Sequence, residues 1–424
     1  MTNGRVTTEE ATAGTRSGTP TAGPGYFPAL FAASTTLWAL LLGPVLTTIP
    51  AQVDRLAPDD KVLALALVTG IGGLGGIVTN PVIGHLSDTT RSRLGRRRPW
   101  LLAGVPVVLA LSVAAGSADS VPALTLWWSL LQVGVNMMMA PLAATVPDLV
   151  PEGRRGRATA CLGIAGACAP VLGTAVQAVL TSPALTYPAL AALIAVSQAV
   201  FVSTLRGDDV QPRPRPRVLP RATGRGSRAL LPHDRDFWIV WVHRFLFALG
   251  QNAALAYLFY YLQDVIDYEG LNPGRTTDDG VLLLTAVYAP CVMAAAVVVG
   301  ALSDRTRRFR VYIIGATLLF GTGAVLGAVT GSWGGVLALA ALTGIGHGAY
   351  EAVSMAMAIH LLPDDERRGR DLSIINVATL LAIGLGPFVA AAGIALSGYA
   401  AVFLGSGVLV LVGGMMVTLV RGAR

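Results

Sequence analysis

His347 and Glu351 lie four residues apart within an apolar run, 335–362, so on a helix they share one face. Ionisable side chains inside such a run are costly and mark functional sites. Desolvation at mid-run disfavours a carboxylate, so Glu351 could be neutral in one state and ionised in another, as proton carriage requires. His347 is its natural partner. Moving back 215 positions from this pair reaches Gln132 and Asn136, again polar, four apart and mid-run. Facing hydrogen-bonding pairs of this kind suit a neutral polar ligand. The run 237–262 adds His243 and Arg244 in its first third, then Gln251 and Asn252 near its centre. Arg244 could pair with Glu351, meet an anionic group of a ligand, or snorkel its charge to the water boundary. The corresponding run 26–49 offers Ser34, Thr35, Thr36 and Trp38. Trp38 and Tyr350 could stack on a ring-shaped solute, or belong to core and interfacial belts as aromatic residues in such runs often do. A structural reading of His347 and Glu351, as a hydrogen-bonded lock on their helix, stands beside the functional one.

Other chemistries find no residues. The chain's single lysine is Lys61, within Asp-Asp-Lys-Val, so no Gly-x-x-x-x-Gly-Lys phosphate loop can form. The three cysteines, Cys161, Cys168 and Cys291, have neither disulfide nor metal spacing, and no His/Cys cluster suggests a metal site. The expectation is a protein without cofactor or metal and not an enzyme.

The elements that must position these groups follow from composition. Of 424 residues, 53% are hydrophobic and 13% charged, with a mean hydropathy of +0.62; soluble domains average about 25% charged. So much apolar surface needs lipid around it. About 20 apolar residues cross about 30 Å of hydrocarbon as a helix. Twelve such runs can be read: 26–49, 62–86, 100–116, 121–146, 158–180, 187–205, 237–262, 281–302, 311–330, 335–362, 372–396 and 400–420. The net charge of +7 sits in short loops rather than on a nucleic-acid-binding face, so no nucleic acid partner is expected. Every second loop carries arginines: Arg91, Arg93 and Arg96 to Arg98; Arg154, Arg155 and Arg157; eight between Arg206 and Arg235; Arg305, Arg307, Arg308 and Arg310; Arg367, Arg368 and Arg370. The alternate loops hold only Arg55, Lys61 and Arg275. Positive loops stay cytoplasmic, which predicts an inner-membrane protein with both termini in the cytoplasm.

The chain also repeats itself. Gly84-His-Leu-Ser-Asp88 recurs as Gly300-Ala-Leu-Ser-Asp304, and Arg154-Arg-Gly-Arg157 as Arg367-Arg-Gly-Arg370, at offsets of 216 and 213, close to half the chain length. Two duplicated six-run halves are a transporter architecture with the solute site between them near mid-membrane. The expected organisation is a disordered tail at 1–25, one six-helix bundle at 26–205, a basic linker at 206–236 with an extended Pro-Arg repeat, a second bundle at 237–420, and a short tail at 421–424. Glycine-rich stretches such as 70–76 and 163–173 place small residues on helix faces, where backbones can pack closely and slide.

Twelve runs, the duplicated Gly-x-x-x-Asp motif after runs 2 and 8, and the long central loop resemble the major facilitator superfamily over nearly the whole chain. Gly84-His-Leu-Ser-Asp-Thr-Thr-Arg-Ser-Arg-Leu-Gly-Arg-Arg-Arg-Pro99 is similar to the extended signature of its sucrose-transporter-like and glycoside-pentoside-hexuronide cation symporter branch, as is Pro147-Asp-Leu-Val-Pro-Glu-Gly-Arg-Arg-Gly-Arg157. The resemblance implies an all-α membrane fold of two pseudo-symmetric six-helix bundles, with runs 1, 4, 7 and 10 lining a central cavity. It also implies a latch between the halves. The matching positions are Gly84, Asp88, Arg91 and Arg96, with Gly300, Asp304 and Arg305 as a degenerate second copy. Asp88 is expected beside the start of run 11, held by a helix N-terminus or an arginine across the interface. Runs 1 and 2 lack the acids that sodium-coupled melibiose-type members use, which favours protons as the coupling ion. The expectation is a monomeric secondary transporter in the lipid bilayer that moves a small solute with protons, by sugar or glycoside symport or, alternatively, by export of a drug or natural product.

Overall fold

A computed structural model of the chain describes residues 25–205, 235–361 and 368–421. Residues 1–24 of the expected tail at 1–25, most of the linker at 206–236 and Arg367 lie outside the described residues. The elements are α1 (Tyr26–Leu46), α2 (Thr48–Leu56), α3 (Lys61–Thr89), α4 (Arg98–Gly116), α5 (Val121–Leu149), α6 (Glu152–Leu180), α7 (Pro183–Thr204), α8 (Arg235–Ala256), α9 (Leu258–Asp264), α10 (Tyr268–Leu271), α11 (Thr277–Thr306), α12 (Phe309–Val329), α13 (Trp333–Leu361), α14 (Arg368–Ser397) and α15 (Tyr399–Met416). Among the described residues, eleven helical stretches are long and apolar enough to cross a membrane, with α1–α2 and α8–α9 each counted as one. The 29-residue α3, apolar over Lys61–Gly76, is the twelfth long element.

Helix starts follow local chemistry. Proline stands in the first turn of α4, α5 and α7, where no backbone donor is lost. A reciprocal capping box of Thr276 and Asp279 opens α11. Most helices outrun the apolar stretches that announce them. The first run, expected to end at 49, breaks at Thr47 and continues as α2 to Leu56; the seventh breaks at Tyr257 and continues as α9 to Asp264. Polar residues such as Gln52, Asp54 and Gln263 are accommodated there by hydrogen-bond partners on other elements, Gln52 donating to the Ala115 carbonyl and Gln263 to Asp54.

The duplication is visible in the packing. α1 packs on α6 and α7, α5 on α3 and α4, and α4 on α7; in the same order α8 packs on α14 and α15, α13 on α11 and α12, and α12 on α15. Contacts between the halves are symmetric too, α3 on α14 and α6 on α11. Glycine makes the tightest approach possible. A Cβ on Gly173 of α6 would stand 2.6 Å from the Cα of Gly43 on α1, and one on Gly384 of α14 would stand 2.5 Å from Leu74 on α3.

The two ends of the molecule differ. At the arginine-poor end Lys61 Nζ joins Asp54 at 3.3 Å to Asp264 of the other half at 2.8 Å, Gln263 donates to Asp54 at 3.1 Å, and the Tyr257 and Tyr260 hydroxyls donate to the carbonyls of Val62 and Pro50. Thr174 meets Thr285 at 3.1 Å and Gln177 donates to Asp278 at 3.3 Å across the α6–α11 contact. Toward the arginine-rich end this closeness fades. Gly84 on α3, on the face by which Gly73 meets α14, and Gly163 on α6, on the face by which Thr174 meets α11, have nothing within 4 Å of where a Cβ would sit. The halves lean together at one end and part toward the other.

Candidate functional site

Arg244 is the tenth residue of α8, and Glu351 the nineteenth of α13; at 1.5 Å per residue both lie about 14–15 Å from the arginine-rich end of their helix. They meet. Arg244 Nη2 is 3.4 Å from Glu351 Oε2, and Arg244 Nη1 donates to Ser354 Oγ at 2.8 Å. The Arg244 side chain is 5% exposed while that of Glu351 is 42% exposed, so the pair is buried on the arginine side and open on the acid side. Arg244 Nε is buried without a partner.

One turn away, Tyr288 of α11 brings its hydroxyl to 2.6 Å from His347 Nδ1, and Gln251 Nε2 lies 3.0 Å from the same nitrogen and 3.2 Å from the Tyr288 oxygen. An amide N–H only donates, so His347 Nδ1 accepts and its proton sits on Nε2. His347 thus belongs to a Gln251–Tyr288 network rather than bonding to Glu351. A second histidine is structural: His243 Nδ1 donates to the Gly413 carbonyl at 3.0 Å, leaving Nε2 to accept from the Tyr350 hydroxyl at 3.2 Å. Tyr350 is 1% exposed and its ring stacks on Phe247 at 3.4 Å, so it is packing for the second half, not a wall of an open cavity. Asn252 bonds the Ala248 carbonyl of its own helix at 2.8 Å and backs onto Gly386 of α14.

In the first half, Asn136 is 8% exposed and donates to the Gln132 carbonyl at 2.8 Å. Gln132 and Trp38 are half-buried, and Thr35 is buried with its hydroxyl on the Phe31 carbonyl. Among the described residues no hydrogen bond, ion pair or ring contact joins these four to the Arg244–Glu351 set.

The loop motif at the arginine-rich end closes on itself. Asp88 pairs with Arg97 at 2.7 Å, in its own half, and its side chain is 60% exposed. Arg97 also reaches Asp148 at 3.2 Å and Ser87 at 2.8 Å, while Arg96 bonds Asp148 at 2.9 Å. Arg91, Asp304 and Arg305 are exposed, and Gly84 and Gly300 half-exposed. The expected partner of Asp88 across the interface is replaced by Arg97, which reaches Asp88 and Asp148 together because α3, α4 and α5 converge there. Arg97, Ser354 and Tyr288 are the residues the sequence reading passed over. Arg97 hid among three consecutive arginines, and nothing in the sequence sets Tyr288 apart from other aromatic residues in apolar runs. Among the described residues no group of three or more His, Cys, Asp or Glu side chains could hold a metal ion.

Comparison with known proteins agrees with this architecture. A bacterial homologue of the human lysosomal transporter Spinster, in an inward-facing, occupied conformation, superposes with a TM-score of 0.72 at 13% identity, over 94% of this chain and 98% of that one. The nucleoside transporter NupG superposes with a TM-score of 0.74 at 13% identity, over 93% of this chain and all of that one (100%). In sequence, the sucrose transport protein SUC4 of Arabidopsis thaliana is 32% identical over 100 residues, a match spanning 20% of each chain. The sequence model of the Major Facilitator Superfamily matches residues 26–316 and again 275–424, and the chain therefore belongs to the Major Facilitator Superfamily.

Proposed function

We propose that this chain is a proton-coupled symporter that carries a sugar, glycoside or similarly polar solute across the cytoplasmic membrane by alternating access. The observation that carries this reading is the Arg244–Glu351 pair, a buried cation whose one carboxylate partner among the described residues has a side chain 42% exposed at mid-depth. The arginine-rich end is then cytoplasmic, with both termini on that side, and the arrangement described is the one open to the cytoplasm. Glu351 bonded to Arg244 is the state after the proton and solute have left.

A proton on Glu351 cancels its attraction for Arg244 and frees Nη2 for a hydroxyl or ring oxygen of the solute. Proton and solute then strengthen each other's binding, which is what coupling means thermodynamically. Gln251, Tyr288 and His347 from the second half and Gln132, Asn136 and Trp38 from the first supply the hydrogen bonds and flat face that a sugar ring needs. The similarity to a sucrose transport protein supports the solute class. Asp88, with Gly84, Arg91 and Arg96, acts as a latch at the cytoplasmic end, and one chain is the working unit.

Flux into proteoliposomes under an imposed pH gradient tests the reading, with sugars, glycosides and hydrophobic drugs screened while a trapped dye reports protons. Sugar accumulation with proton entry is expected. Drug leaving as protons enter would replace the symporter with an exporter, and solute flux without proton movement would refute coupling altogether.

A further inference from the structure

Asp278 lies in the first turn of α11, ahead of the apolar run 281–302, and is 8% exposed in the seam between the halves. Its Oδ2 accepts from Gln177 Nε2 of α6 at 3.3 Å. That amide is oriented from behind by Thr48 of α2, whose hydroxyl donates to Gln177 Oε1 at 2.9 Å. Thr48 and Gln177 are both 0% exposed. The other carboxyl oxygen, Oδ1, is buried with no hydrogen-bond partner. The charged groups that act on Asp278 are Asp279 beside it, Glu269 of α10 and Arg55 of α2, with none from α9, α12 or α13. Asp279 serves the capping box, Glu269 accepts from the Thr277 amide and hydroxyl at 2.9 Å, and Arg55 is exposed, so its charge is screened by water.

An ionised Asp278 is therefore badly housed while the seam is shut. A buried charged acceptor without a donor loses more than a helix start returns, and two acids repel it. When the halves part, water solvates the carboxylate and removes the penalty. We infer that Asp278 is a proton-binding site that gates the arginine-poor seam, taking a proton as the halves close there and returning it to the same side as they open. Because the proton enters and leaves by one face, the site shifts the balance of states and carries no proton across. This holds whether or not Glu351 is the coupling residue.

The sign of the response separates Asp278 from its neighbours. Acid that protonates Asp54 or Asp264 removes the partners of Lys61 and opens the seam; acid that protonates Asp278 shuts it. Asp119→Cys and Ser332→Cys place labels at exposed positions on the two halves at this end, once Cys161, Cys168 and Cys291 are replaced by serine. Pulsed electron resonance of the spin-labelled protein in nanodiscs, from about pH 4.5 to about pH 8, then reads the shut-to-open ratio. The ratio is expected to rise as pH falls, by up to about tenfold per unit. Asp278→Asn should flatten the response and Asp278→Glu restore it. Gln177→Met, which removes the donor that favours the anion, should move the midpoint to higher pH, by up to about one unit. A wild-type seam that ignores pH or opens in acid overturns the inference, as does a full response in Asp278→Asn; should that variant not fold, an unmoved midpoint in Gln177→Met does so.

Discussion

Replacing Glu351 with glutamine keeps the shape and the hydrogen-bond acceptor beside Arg244 and removes only the charge. At the 3.4 Å separation of the pair, the lost attraction lies between about 1 kcal/mol in water and about 5 kcal/mol at an effective dielectric near 20. Because the Glu351 side chain is 42% exposed, the lower part of that range applies, about 1–2 kcal/mol of stability, and the variant should fold. Its effect on transport should be far larger. With one proton per solute, each unit of pH gradient, worth about 1.4 kcal/mol, sustains up to about tenfold accumulation. The amide mimics only the protonated state, so the accumulation ratio should fall to about one while counterflow exchange stays within a few-fold of wild type. Glu351→Asp should rescue in part, its shorter arm lengthening an already loose contact. Proteoliposomes loaded with labelled solute measure both quantities on one preparation. If Glu351→Gln still concentrates solute at the wild-type proton stoichiometry, Glu351 is structural and Asp148 or Asp264 must be examined instead.

At the arginine-rich end, Asp148→Asn should cost about 2–4 kcal/mol in thermal or denaturant unfolding, because Asp148 is 11% exposed and holds both Arg96 and the buried Arg97; Asp88→Asn, at an acid 60% exposed, should cost less than about 1 kcal/mol. Equal losses would contradict the network. Lys61→Met should leave Asp54 and Asp264 facing each other across the seam and lower its shut population about tenfold, about 1.4 kcal/mol, read by the same label pair; an unchanged distance distribution would count against an electrostatic pin. Gly173→Val should lose about 1–3 kcal/mol in thermal unfolding because the added methyls meet the backbone of Gly43, and an unaffected variant would show that α1 and α6 can separate freely. Tyr288→Phe should raise the solute KM about three- to tenfold, the worth of one hydrogen bond, with exchange preserved; an unchanged KM would remove Tyr288 from the solute site.

The helices, their number and their duplication were determined by the sequence itself. Each run need only be long and apolar enough to cross a bilayer, which is a property of consecutive residues, and the repeat of the Gly-x-x-x-Asp loop at Asp88 and Asp304 states the two-fold plan outright. The pairing of Glu351 with Arg244 could be read only as one of several options, since hydropathy places Glu351 at mid-run and Arg244 in the first third of its run without saying which helices touch. Tertiary structure decided the rest. It assigned His347 to Tyr288 and Gln251, turned Tyr350 into packing against Phe247, and gave Asp88 to Arg97 within its own half. It also continued α1 and α8 past their apolar limits into α2 and α9, whose polar residues meet across the seam. The carboxyl of Asp278 acquires its significance only there, because burial and an unpartnered oxygen arise from two helices of different halves closing on it, Gln177 lying 101 positions away in the chain. Local pattern settles what crosses the membrane; which side chains meet depends on long-range packing that no single run contains.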